Sequence, residues 1–164
     1  MNSVSIAKPR NLGWLTIVSL ALALWLGASL LMDAVVMPSM YWAGMMTESG
    51  FVTAGSTMFS IFNHGELLCA GIVLSGVLVL NQKFPATGII YPRIAIVLAT
   101  LLLVVPIVYL TFLSPEMSAL GLNLDLFESG EVPEAMATMH GIYWALEVVK
   151  LSLAGSLLGL CHRT

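Results

Sequence analysis

Four stretches of this chain are long and apolar enough to cross a lipid bilayer, at about residues 13–32, 57–80, 93–113 and 137–160. Twenty helical residues, rising about 1.5 Å each, cover the roughly 30 Å of bilayer hydrocarbon. A backbone threaded through lipid satisfies its polar groups only as helices or as a closed barrel, and runs of this length select helices. The expected fold is therefore all-α: a polytopic membrane protein forming an antiparallel bundle of four transmembrane helices, with residues 1–164 making a single membrane domain. Composition agrees. Only 9% of the residues are charged, against about 25% in a soluble domain, too few to cover a surface in water. Six Lys and Arg against nine Asp and Glu exclude a nucleic-acid binder. The first apolar run exceeds the 7–15 residues typical of a signal peptide and is followed by no clean small-x-small site, so it reads as retained.

Basic residues collect on the cytoplasmic side of membrane proteins. Lys8 and Arg10 precede the first span, Lys83 and Arg93 flank the connection between the second and third, and Arg163 follows the fourth. Four spans place all of these on one side, so both termini are expected to be cytoplasmic. Glu48, Glu116, Asp125, Glu128, Glu131 and Glu134 fall on the other side. Trp14, Tyr41, Trp42 and Tyr91 lie near span ends and read as interfacial anchors. The turn-rich connection 81–92 (Pro85, Gly88, Pro92) predicts an antiparallel hairpin of spans two and three. The first helix is expected to run past Pro38 toward Gly44 with a kink, since proline lacks an amide hydrogen. The outer segments 40–56 and 114–136 have room for short surface helices. Small residues four apart (Gly71/Ser75, Ser152/Ser156, Gly155/Gly159) suit tight helix contacts. Cys69 and Cys161 lie far apart in depth, so no disulfide is expected.

One basic residue, Lys150, sits inside a span. At about 100° per residue, His140, Tyr143, Glu147 and Lys150 occupy one stripe of the fourth span, expected to face inward. Asn63 and Glu66 share a face of the second span, whereas His64 lies about 160° round from Glu66. Asp33 closes the first span, with Ser29 and Met37 one turn either side. Asp33, Asn63, Glu66, Tyr143, Glu147 and Lys150 form a candidate intramembrane polar site in the outer half. Ionisable groups at such depth are costly and have partners. The stripe is compatible with structural pairing, since Glu147 and Lys150 are spaced i,i+3, with a proton or cation site, and with a metal or haem held by His64 and His140.

Apart from Met1, every methionine lies at the outer end of a span or in an outer segment. Thioethers are soft ligands suited to copper(I). Met37 with Met40, and Met136 with Met139 and His140, can each present donors from one helical turn. The alternative is an adaptable apolar packing or docking surface. No nucleophile elbow, phosphate loop, HExxH or zinc-type cysteine pair appears, so no catalytic residue is assigned.

The run Leu24-Trp25-Leu26-Gly27, followed by Asp33-Ala34-Val35-Val36-Met37-Pro38, resembles the first span of an uncharacterised bacterial four-span family, a domain of unknown function. Phe112-Leu113-Ser114-Pro115 and Met139-His140-Gly141 resemble the close of its third span and the start of its fourth. The likeness covers about residues 14–158 and is greatest to cyanobacterial members, which implies a bacterial inner (plasma) or thylakoid membrane. The layout is more distantly similar to copper-resistance D-like proteins and to a haem-binding, four-span protoporphyrinogen oxidase type. That similarity implies a cofactor carried by span histidines, for which His140 and His64 are the candidates here.

Three functions are thus expected. The first is a non-catalytic accessory or assembly partner of a membrane complex, associating with another membrane protein or with itself. The second is copper(I) or haem handling. The third is a proton-coupled small transporter.

Overall fold

A peptide group in hydrocarbon finds no water to bond, so each span closes its hydrogen bonds along its own axis. The computed structural model describes residues 12–45, 50–83, 92–127 and 134–162, and every long element in it is helical. Helix α1 (Leu12–Leu31) passes through a π-turn, π1 (Met32–Val36), into α2 (Met37–Trp42). Helix α3 spans Phe51–Lys83 without a break. Helix α4 (Pro92–Val108) passes through a second π-turn, π2 (Tyr109–Leu113), into α5 (Ser114–Phe127), and α6 covers Glu134–His162. Four helical stretches are apolar enough to cross a membrane: Gly13–Trp42, Phe51–Gln82, Pro92–Gly121 and Ala137–His162. Lys8, Arg10, Met46, Glu48, Pro85, Gly88, Tyr91, Glu128, Glu131 and Arg163 lie outside the described residues, as do the side chains of Lys83, Asp125 and Met136.

The spans form a ring. Helix α1 packs on α3, α3 on α4, α4 on α6 and α6 on α1, while among the described residues neither diagonal pair comes into close backbone contact. Toward the end where α1 starts and α6 finishes, the core is wholly apolar: Val18, Leu22, Val73, Val77, Ala99, Leu102 and Leu157 are all buried. Lipid is as apolar as leucine, so close packing rather than water exclusion holds such helices together. Ala70, Ala95, Ala99 and Ala154 are accordingly among the buried small residues. The small pairs expected at helix contacts are not there. Ser75, Ser152, Ser156, Gly155 and Gly159 are exposed on the bundle surface, and a Cβ on Gly71, Gly155 or Gly159 would meet nothing within 4 Å. Close approach occurs instead at Gly76, where a Cβ would stand 2.3 Å from Val18 Cγ2.

Each π-turn lies just before a proline. Met37 N–H bonds to Met32 O, and Ser114 N–H bonds to Tyr109 O, five residues back in each case, with Pro38 and Pro115 next in sequence. A proline ring clashes with the carbonyl four residues earlier, and the widened turn relieves that contact. It also resets the helix phase. Inward positions step by four through Ser29, Asp33 and Met37, and through Tyr109, Leu113 and Met117. Two such steps on a regular helix drift about 80° away from the core; fewer degrees per residue in the π-turn cancel that drift. The third span consequently does not close at Leu113 as expected, because Pro115 occupies a first-turn position where its missing amide is harmless. The segment from Ser114 continues that helix rather than forming a separate surface piece. At the other proline, α2 ends at Trp42 and the chain turns through Gly44 at φ +70°, a left-handed conformation suited to glycine.

Gly76→Ala is expected to destabilise the bundle by about 1–3 kcal/mol, because the β-branched, buried Val18 cannot move aside. Gly155→Ala should stay within about 0.5 kcal/mol of the parent. Unfolding of both variants in mild detergent measures the difference.

Candidate functional site

Above the apolar core the interior turns polar. Glu66 on α3, and Glu147 and Lys150 on α6, are at most 2% exposed. The Lys150 ammonium pairs with Glu66 Oε1 across the diagonal of the ring and with Glu147 Oε2 at 2.7 Å along its own helix. It also lies 5.4 Å from the Tyr109 ring centroid and 5.8 Å from that of Phe62, within cation–π range. Trp25 Nε1 and Ser29 Oγ on α1 donate to Glu66 Oε1 at 2.9 and 3.1 Å. Tyr109 OH, from π2, donates to Glu147 Oε2 at 3.1 Å. All four spans therefore contribute to one network.

A second layer continues from there. Tyr143 OH donates to Asp33 Oδ1 at 3.1 Å, and Asn63 Nδ2 donates to Ser114 Oγ at 2.9 Å. The Tyr143 ring stacks on Tyr109 with centroids 5.2 Å apart and meets Phe59 edge to face at 5.8 Å. Among the described residues, three buried side-chain oxygens have no hydrogen-bond partner: Asp33 Oδ2, Glu66 Oε2 and Glu147 Oε1. One belongs to each buried carboxyl group.

A cavity of about 320 Å³ lies beyond this layer, at the end where α2 finishes and α3 begins. Asp33, Asn63, Tyr109, Tyr143 and Ser114 give it a polar floor. Tyr41, Phe51, Phe59 and Trp144 supply aromatic wall, and Met37, Met40 and Met117 supply thioethers. Met37 and Met117 lie just past the two π-turns, so the phase correction made there keeps them on the same face as Asp33 and Tyr109.

The structure thus gathers Asp33, Asn63, Glu66, Tyr143, Glu147 and Lys150 into a single interior site. It separates the proposed metal ligands. His64 is exposed on the outer face of α3, its Nδ1 2.6 Å from Ser60 O. Turning Glu66 inward forces this, because the two positions are about 160° apart round the helix. The imidazoles of His64 and His140 therefore do not meet in the bundle core, and the residues do not fit a haem held between them. Met37, Met40 and His140 do share the cavity wall, but Met139 is not part of it. Among the described residues no group of three or more His, Cys, Asp and Glu is arranged to hold a metal. A thioether-rich wall with one imidazole still matches copper(I) in donor type. The contributions of Trp25, Ser29, Tyr109 and Ser114 were not assigned from sequence. Trp25 and Ser29 precede Asp33 by eight and four residues, a helical spacing that marks one face.

The chain matches no protein-family model, no curated protein and no solved structure.

Lys150→Met leaves three buried carboxyl groups with no cation and is expected to cost about 3–5 kcal/mol of stability. Adding Glu66→Leu should recover part of that loss, since the acid left most exposed to the deletion is removed too. A double-mutant cycle on thermal unfolding in detergent measures the coupling.

Proposed function

We propose that the protein is a non-catalytic integral membrane protein that performs a proton-coupled binding step, the core of a small transporter. One observation carries this reading: three carboxyl groups, each at least nine-tenths buried, lie in one network with a single ammonium that pairs with two of them, and each keeps one unpartnered oxygen beneath a cavity that Asp33 lines. Were all three ionised, the cluster would hold two uncompensated negative charges, and burying even one such charge costs several kcal/mol. Protons bound within the cluster remove that cost. Asp33 and Glu147 each keep an unpartnered buried oxygen on which such a proton can reside.

A purely structural pairing accounts for less. One acid would neutralise Lys150, and two further acids add desolvation without adding cohesion. A cavity of about 320 Å³ also forfeits packing that an assembly scaffold would keep. With both termini assigned to the cytoplasm by the distribution of basic residues, the cavity belongs to the outer half. The membrane is a bacterial plasma or thylakoid membrane on this reading. Met37, Met40, Met117 and His140 on the cavity wall favour a second reading, copper(I) binding, which a competition titration against a copper(I) chelator tests directly.

Infrared difference spectroscopy of the protein in lipid nanodiscs tests the proton site. A carboxylic-acid C=O band is expected at neutral pH, shifting in D2O and lost in Asp33→Asn or in Glu147→Gln. Absence of any such band from the parent protein would rule out a bound proton.

A further inference from the structure

Resting on the proton-binding reading, we infer that the cavity takes a small organic monocation with an aromatic or otherwise apolar body, which exchanges for the proton held by the acid cluster. The walls and the floor select this chemistry together. Among the described residues lining the cavity, Asp33 is the one carboxyl group and no Lys or Arg is present. Asp33 is 93% buried, its Oδ1 is taken by Tyr143, and its Oδ2 has no hydrogen-bond partner. An anion would meet this buried acid with no Lys or Arg on the cavity wall to compensate it. A hydrated alkali or alkaline-earth ion needs a shell of six or more oxygens, which a wall of Phe59, Trp144, Met37 and Met117 does not provide. A soft, weakly hydrated ammonium suits such a wall, because aromatic faces attract cations and thioethers adapt to irregular apolar shapes. The volume, about 320 Å³, sits at the small end of ligand sites.

The exchange balances. A cation enters, one proton leaves the acid cluster, and the net charge of the buried site is unchanged. The titratable groups around Asp33 are Tyr143, Glu147, Lys150 and His140 on α6, Glu66 on α3 and Tyr109 in π2. Lys150 is held by Glu66 and Glu147 on the side away from the cavity floor, so an entering cation answers to Asp33.

Isothermal titration of the full chain in nanodiscs, with benzyltrimethylammonium as probe, tests the inference. Benzyl alcohol and benzenesulfonate serve as neutral and anionic comparators, and two buffers of different ionisation heat count the protons released. Saturable binding of the ammonium alone is expected, with about one proton released per cation. Asp33→Asn should weaken it at least about tenfold. Phe59→Leu, which leaves every charge in place, should weaken it several-fold and guards against loss of folding in the first variant. Binding that is absent, indifferent to probe charge, unaccompanied by proton release, or unchanged in both variants overturns the inference. If the infrared acid band is present and no cation binds, the ligand assignment fails and the proton site stands. If the band is missing and the ammonium still binds through Asp33, the proton-coupled reading fails and the cation site stands.

Discussion

A single ammonium group organises the interior of this bundle. Lys150 reaches across the ring to Glu66 and along its own helix to Glu147, linking two spans that make no close backbone contact among the described residues. In hydrocarbon the alternative to such pairing is an isolated charge, whose cost exceeds what the rest of a small domain can offset. The positions of Trp25, Ser29 and Tyr109 follow from that requirement, since each donates to a carboxylate oxygen that the ammonium also engages. One cation cannot serve three acids, and the excess of acid faces the cavity.

The architecture was legible because lipid leaves few options. Length and hydropathy mark the spans, and a lone lysine in mid-membrane marks the interior face of the fourth. Turning Glu147 and Lys150 inward follows from the same physics, as does placing Asn63 and Glu66 on one side of α3, where both are buried. The small-residue pairs were misleading for a clear reason. Glycine and serine cost little against lipid as well as against a helix, so their spacing alone does not tell which face packs, and the close contact at Gly76 had no partner at four-residue spacing. Tyr109 was hidden by a different effect. It continues the buried face of α4 through Ala95, Ala99, Leu102 and Val105 at regular helical spacing, but a span apolar all round does not show from its sequence which face packs.

The two histidines illustrate how one placement dictates another. His64 and Glu66 are two residues apart, so a helix can bury one only by exposing the other. Burying the glutamate next to a lysine is the favourable choice, because the imidazole bonds a carbonyl of its own helix from the surface. His140 stays at the cavity wall among thioethers, away from its expected counterpart.

The prolines and the Lys150 ion pairs occupy opposite diagonals of the ring. Helices α3 and α6, which carry Glu66, Glu147 and Lys150, run unbroken, whereas the other two spans are each interrupted by a widened turn beside the cavity. A regular helix resists bending and a π-turn yields more readily. The molecule therefore has two stiff struts that carry the Lys150 ion pairs and two jointed ones, all four bordering the chamber, so bending that alters the chamber's width falls first on the jointed pair.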